Sequence, residues 1–274
     1  MITDPASLTV RVGCDLRYQF DQATPMVLLV RPENIGHCVT SERWQTDPTI
    51  AFHDYRDLYG NLCRRLTAVA GEFTLRYEAN VVMSPYPAVT DWSAAQVPVD
   101  ALPDDVLVYT LPSRYCLSDE LADTAWDLFG RAAPGWSCVQ TICDWVNANI
   151  RFSYGTSTPL TTAADVFRTR TGVCRDFAHL AITFCRALSI PARYAFGYLP
   201  DIGVPPPDAP MDFCAWFEAY LGGRWWTFDP RNNQRRIGAI GIGRGRDALD
   251  VAMVTTYGAA MLREMIVYAD EIPS

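Results

Sequence analysis

The stretch that most constrains the fold is DFCAWFEAYLGGRWWTFDP, residues 212 to 230, which has the pattern of two strands around a Gly222-Gly223 turn. A two-residue turn fixes the register of the flanking strands, so Trp216 is predicted to lie opposite Asp229. Side chains alternate along a strand, so one face carries Cys214, Trp216, Glu218 and Tyr220, with Asp229 beside them. The hairpin therefore predicts that residues 214 and 229 are diagonal neighbours on one face of a sheet.

Position 214 is chemically important because a side chain with some reach would touch Asp229 from there. A histidine would suit such a place, since its imidazole takes a proton from a nearby thiol while a carboxylate orients the ring. This chain has Cys214 there. Taken alone, Asp229 is equally compatible with a structural carboxylate in the turn before Pro230.

A second strong pattern predicts a helix from about residue 173 to 188, ending before Pro191. Cys174 falls in its first turn, where free backbone N–H groups and the helix dipole lower the pKa of a thiol. It is therefore a candidate thiolate nucleophile, and the same N–H groups could stabilise an oxyanion. An inert buried cysteine is the alternative that base rates favour. The apolar stripe of this helix is Cys174, Phe177, Ala178, Ala181, Phe184, Cys185 and Leu188.

The remaining segments predict two domains. Short runs rich in β-branched and aromatic residues, typical of an all-β domain, precede a Pro-rich and Asp-rich segment at 84–105. We therefore predict a β-sandwich-like domain over 1–100 and a second domain over 106–274. The second domain combines amphipathic helices with strands that return after Pro191, which predicts an α+β fold class.

Composition and charge disfavour several functions. A net charge of −8 and a pI near 4.9 make nucleic acid an unsuitable partner. No stretch has the length and apolarity of a membrane span, and the first residues lack the features of a signal peptide, so we expect a cytoplasmic protein that does not associate with membranes. The nine cysteines form no CxxC pair and have no histidine at ligand spacing, which predicts neither a metal site nor a disulfide scaffold. Five arginines between residues 231 and 246 could hold an anion, although pairing with the surplus carboxylates is the commoner arrangement.

The segments RTRTGVCRDFAHLAITFCRALSIPARYAFGYL and DFCAWFEAYLGGRWWTFDP resemble the core of the bacterial transglutaminase-like family of papain-type thiol enzymes. A Gly-x-Cys-x-Asp helix start, an IPAR-Y-GY strand and a W-x-x-x-DP motif follow in the family's order, over roughly residues 138 to 230. The resemblance implies a papain-like transglutaminase core, in which the helix bearing the cysteine packs on an antiparallel sheet, preceded by an N-terminal β-sandwich. It also implies that Cys174 is the nucleophile, that Asp229 is the orienting carboxylate, and that the family's histidine would fall at Cys214.

The other histidines of the chain are poor substitutes for the missing one. His179 lies five residues after Cys174, which on a helix is about 140° around and about 7.5 Å along the axis. It shares that face with two arginines, so we expect a polar, solvated or structurally hydrogen-bonded histidine. His37 and His53 belong to the N-terminal β region.

Three roles for Cys214 remain open. In the first, Cys174 still attacks activated acyl groups at a much reduced rate, its thiolate supplied by the helix terminus alone, with a peptide or protein amide as the substrate class. In the second, the two thiols form a reversible disulfide that masks the site or senses redox state. In the third, catalysis is lost and an aromatic groove binds a peptide, although aromatic stripes are usually core. None of the three requires a cofactor. The candidate substrate-binding residues are Trp216, Tyr220 and Trp226.

Overall fold

The computed structural model describes residues 7–34, 36–205, 207 and 209–273. The first six strands are β1 (Leu8–Phe20), β2 (Thr24–Leu28), β3 (His37–Asp47), β4 (Phe52–Arg56), β5 (Leu62–Ala68) and β6 (Gly71–Met83). The middle of the chain forms α1 (Asp104–Leu107), α2 (Ala122–Phe129), α3 (Trp136–Asn149), β7 (Arg151–Phe152), α4 (Ala163–Thr169), β8 (Thr171–Gly172) and α5 (Cys174–Ala187). The last strands are β9 (Ala192–Tyr198), β10 (Cys214–Leu221), β11 (Arg224–Phe228), β12 (Ile240–Gly245), β13 (Val254–Thr256) and β14 (Met261–Glu271).

The N-terminal region forms two antiparallel four-stranded sheets, with strand orders β14-β1-β6-β3 and β13-β2-β5-β4. Strand β1 alternates between buried and more exposed residues, as expected for a strand with one face on a core. The Gly60-Asn61 dipeptide lies at the turn between β4 and β5, which pair with each other.

The last two strands of the chain lie in a different domain from the one predicted for them. That division assigned residues 106–274 to the core, but β14 pairs with β1 and β13 pairs with β2. Residues 254–271 therefore complete the two N-terminal sheets. The pattern of a strand indicates that it needs a neighbour, but it does not specify which distant strand that neighbour is.

The core domain has the predicted arrangement of α5 packed on an antiparallel sheet of order β11-β10-β9-β12. Phe177 and Phe184 of α5 and Phe217 of β10 are each at most 1% exposed and belong to one apolar cluster. The face of α5 that was expected to be polar is buried as well. His179 is fully buried, and Arg186 is 3% exposed because its guanidinium donates to carbonyls of three other segments.

The hairpin joining β10 and β11 has the predicted register. Gly222 and Gly223 have φ of +57° and +84°, the left-handed conformation at both positions that a tight two-residue hairpin turn requires. Leu221 pairs with Arg224, and the ladder continues in step to Phe217 and Phe228. The hairpin thus fixes the face on which Cys214 lies.

Candidate active site

The chain that leads into α5 fixes the position of Cys174 as the first residue of that helix. Gly172 passes so close to Asp176 that a Cβ at position 172 would lie 2.7 Å from the Asp176 Cβ. The Asp176 carboxylate accepts a hydrogen bond from the Val173 N–H at 2.9 Å, which caps the helix. Arg175 holds the other oxygen of that carboxylate at 3.0 Å. The predicted helix start is confirmed, and the cysteine is held at the positive end of a 14-residue helix.

The thiols of Cys174 and Cys214 lie side by side where the start of α5 meets the start of β10. The contact with the Cys214 thiol lowers the pKa of the Cys174 thiol, against the effect of burial, with a further contribution from the Ala215 backbone N–H. The same contact, together with burial, raises the pKa of Cys214 well above its usual value. Each thiol donates to a backbone carbonyl, Cys174 to Phe213 at 3.9 Å and Cys214 to Ala215 at 3.8 Å. Of the two sulfurs, Cys174 is the one whose thiolate form is favoured. Both are free thiols.

Two charged residues near Cys174 act on its pKa with opposite signs. Arg231 lowers the pKa of the Cys174 thiol, and Asp212 raises it. The Arg231 guanidinium lies 4.1 Å from the centre of the Phe152 ring, which holds it at the wall of the groove. Burial raises the pKa of Asp212 itself. The site therefore has a cation that favours the thiolate, although position 214, where the resemblance implies a histidine, is a cysteine.

Asp229 lies just beyond β11 and close enough to Cys214 for its charge to raise the pKa of that thiol. One carboxylate oxygen accepts the N–H groups of Arg231 and Asn232, each at 3.0 Å, and the other accepts the Asn232 side-chain amide at 2.6 Å. Burial raises the pKa of Asp229 despite these bonds. A carboxylate offers about four acceptor positions, so one remains after these three hydrogen bonds. Asp229 thus stabilises the turn after Pro230 and keeps an acceptor available near position 214.

The two thiols open on a groove of about 610 Å³. Its lining includes two aromatic residues, Phe152 and Tyr154, and three prolines, Pro205, Pro207 and Pro210. A second pocket of about 520 Å³ adjoins the groove, with which it shares Leu199, Gln234 and Arg236. Together the groove and this pocket form a cleft with a shared wall. The second pocket is lined by three tryptophans: Trp92, Trp136 and Trp216.

Of the three aromatic residues predicted to bind substrate, the structure brings only Trp216 to the cleft. Tyr220 packs into a separate small cluster with Leu102 and Val106. Trp226 is 8% exposed and donates its indole N–H to the Leu221 carbonyl at 3.0 Å. In the part of the chain that the structure describes, neither Tyr220 nor Trp226 lines the groove or its adjoining pocket. Both are core residues.

None of the three histidines replaces the missing base in the described chain. His179 accepts the Ala248 N–H at 3.1 Å, and burial lowers its pKa well below the usual value. It is a structurally hydrogen-bonded residue, as one of the two predicted alternatives states, but it is not solvated. His37 and His53 lie on β3 and β4 of the sandwich and do not line the groove.

The sequence patterns do not single out Asp212, Tyr154 or the separate role of Arg231. Arg231 was grouped with four other arginines, but Arg236, Arg244 and Arg246 are paired with carboxylates as the commoner arrangement predicts. Arg231 differs because it directly follows the Asp229-Pro230 dipeptide of the core motif. That adjacency was the available signal.

Comparison with known proteins assigns this arrangement to a family. A profile described as "Transglutaminase-like superfamily" matches residues 124–230. A solved protein of Cytophaga hutchinsonii, assigned provisionally as a cysteine protease, is 33% identical with a TM-score of 0.89, over 98% of this chain and 92% of that one. The chain belongs to the transglutaminase-like superfamily. The transglutaminase-like profile ends at the Asp229-Pro230 dipeptide and includes both thiols.

Two mycobacterial relatives of this transglutaminase-like chain are uncharacterized proteins. The one from Mycobacterium leprae is 36% identical over 115 residues, which is 39% of this chain and 39% of that protein. The one from Mycobacterium tuberculosis is 29% identical over 248 residues, which is 81% of this chain and 76% of that protein. Within the described residues, no helix reaches the length and apolarity needed to cross a bilayer. The described residues also contain no cluster of three or more His, Cys, Asp or Glu side chains suited to a metal ion.

Proposed function

We propose that this transglutaminase-like protein acts on peptide or protein amides, with Cys174 as the nucleophile. The observation that carries the proposal is a thiol of lowered pKa at a helix start, open to a groove of about 610 Å³. The provisional assignment of the Cytophaga hutchinsonii protein as a cysteine protease supports the same class of chemistry. The cleft is suited to an extended segment because the groove and the adjoining tryptophan pocket share a wall.

The chemical step is acyl transfer through a thioester. The Cys174 sulfur attacks the carbonyl carbon, a C–S bond forms, and the developing oxyanion is stabilised by free N–H groups at the start of α5. The C–N bond then breaks, and the leaving amine takes a proton from water. Attack of water on the thioester releases an acid, whereas attack of a second amine forms a new amide.

The substitution at position 214 lowers the rate of this step. Cys214 has a pKa far above that of an ordinary thiol, so it keeps its proton near neutral pH and does not act as the base. A positioned acid–base group typically contributes about 10²–10⁴-fold to such reactions. We therefore expect slow acyl transfer from activated substrates and little turnover of unactivated amides.

A panel of thiol-directed acyl probes tests this function. Activated esters and thioesters of short peptides should acylate Cys174, as located by peptide mapping. The Cys174→Ser variant should lose that product, whereas Cys38→Ser, which removes an exposed thiol on β3, should keep it. If Cys174 stays unmodified while Cys38 is acylated, the proposed function is wrong.

A second candidate function is that of an inactive protein that binds peptides or senses redox state. The contact between two free thiols, one of lowered and one of raised pKa, favours the redox form of this alternative. A hydroperoxide would transfer one oxygen to the Cys174 sulfur, and the Cys214 sulfur would displace it as water, forming a disulfide. After peroxide treatment, a disulfide-linked pair of peptides containing Cys174 and Cys214, lighter by two hydrogens, would support the redox form. Absence of this pair would exclude the redox form.

A further inference from the structure

A separate cavity of about 440 Å³ lies where the sandwich meets the core, and it shares no lining residue with the groove of Cys174. Four arginines from four different segments line this arginine pocket: Arg31, Arg56, Arg193 and Arg244. We propose that the arginine pocket binds a small polyanion, a molecule with two or more phosphate or carboxylate groups. This site is distinct from the proposed acyl-transfer site.

The two inner arginines of the pocket are held in place by buried ion pairs. Arg193 and Arg244 both bind Glu218, at 2.6 Å and 3.0 Å. Arg244 also binds Glu33, which is the one carboxylate among the described residues that line the pocket. The side chains of the two arginines are only 19% and 13% exposed, so little conformational freedom remains to be lost when a ligand binds.

The two outer arginines leave the pocket with a surplus of positive charge. Arg31 binds Glu42 at 2.7 Å. Arg56 donates to the Gly60 carbonyl at 2.5 Å and has no carboxylate partner among the described residues. Four guanidinium groups thus face three carboxylates, which leaves one net positive charge in a chain whose overall net charge is −8.

A neighbouring group responds to this local positive field. Burial, and after it the charge of Arg244, lowers the pKa of His37 to about 4. His37 is therefore neutral at physiological pH and does not add to the charge. Only the smaller part of this shift, from the charge of Arg244, acts in the direction that also favours an anion in the cavity.

The shape and chemistry of the pocket determine the class of ligand. A guanidinium group presents paired N–H donors that match two oxygens of a phosphate or carboxylate group. A volume of about 440 Å³ is within the usual range for small-molecule sites, and it is larger than one such anionic group requires. The sandwich supplies Arg31 and Arg56 and the core supplies Arg193 and Arg244, so a ligand with two anionic groups can contact both regions.

Calorimetric titration with pyrophosphate and with citrate tests the proposal, and the two probes distinguish phosphate from carboxylate recognition. The matched variants are Arg56→Gln, in the pocket, and Arg65→Gln, an exposed arginine on β5 that does not line it. At least one probe should bind saturably to the full chain. Its affinity should be about tenfold or more lower for Arg56→Gln and unchanged for Arg65→Gln.

The proposal would be overturned if neither probe bound saturably, or if the affinity fell equally in Arg56→Gln and Arg65→Gln. The titration is repeated with Cys174→Ser, which should bind the probe as the unaltered chain does. Binding in this variant separates the arginine pocket from the acyl-transfer site, so failure of either proposal is recognised independently of the other.

Discussion

Restoring a histidine at position 214 is the perturbation that most sharply tests the chemistry assigned to the groove. Cys214 lies beside the Cys174 sulfur at the edge of a groove of about 610 Å³, so the space for an imidazole ring is on the groove side. Three hydrogen bonds occupy the Asp229 carboxylate, and about one acceptor position remains to orient the new ring. Cys214→His should therefore complete a nucleophile, base and carboxylate arrangement.

The expected increase in kcat/KM is set by the contribution of the missing base. A positioned base contributes about 10²–10⁴-fold, so kcat/KM for an activated peptide ester or anilide should rise by a factor in that range. The gain should require the imidazole to be neutral, so it should appear as pH rises through the pKa of the new histidine. Steady-state kinetics between about pH 5 and 9 measure both the factor and the pH dependence.

Two control variants separate catalysis from packing. Cys214→Ser places a side chain of similar size at position 214 but supplies no base, so kcat/KM should not rise. The double change of Cys174→Ser with Cys214→His should be inactive. A folded Cys214→His protein, with the melting temperature of the unaltered chain but no increase in kcat/KM, would refute the reasoning.

The remaining predictions concern charge and stability. Arg231→Gln is expected to raise the pKa of Cys174 and slow its alkylation at neutral pH. Asp212→Asn is expected to lower that pKa and speed alkylation. Alkylation rates measured across a range of pH give the direction of both pKa changes. Burial raises the pKa of Asp212, so the stability that this carboxyl contributes is present below its unfolded pKa and is lost as pH rises through its folded pKa. Asp212→Asn should therefore be more stable than the unaltered chain at pH 7, with the difference disappearing in acid, as urea denaturation would show. Glu218→Gln leaves Arg193 without a carboxylate partner and leaves Arg244 with Glu33 alone. Because both arginines are largely shielded from solvent, the change should lower the free energy of unfolding by up to about 3–5 kcal/mol. The same assay should give about 0–1 kcal/mol for Asp270→Asn, which breaks an exposed ion pair.

The parts of the site that depend on local periodicity could be predicted from the sequence. The Gly222-Gly223 turn and the two-residue repeat of a strand gave the register of β10 and β11. The spacing of apolar residues placed Cys174 at the start of α5. Both are properties of a few neighbouring residues, so no knowledge of the rest of the fold was needed.

The parts that depend on distant partners could not be predicted. The strands β13 and β14 pair with strands more than 200 residues away, and nothing in their own pattern specifies that choice. His179 was expected on a polar face, but a segment near residue 248 covers it. Tyr220 shares a strand face with Trp216, and only packing reveals that it is a core residue. Trp226 pairs with Ala219 on the opposite face, so the hairpin register itself argues against a place in the groove. The cytoplasmic location stays a prediction.

The central claim is that Cys174 is a half-buried thiol of lowered pKa that lines a groove, and its alkylation measures this most directly. The rate of iodoacetamide labelling at Cys174, followed by peptide mapping across a range of pH, should show a midpoint below that of an ordinary thiol and faster reaction at neutral pH than at Cys38. A midpoint at or above the ordinary thiol value, with Cys174 labelled no faster than Cys38, would contradict the account.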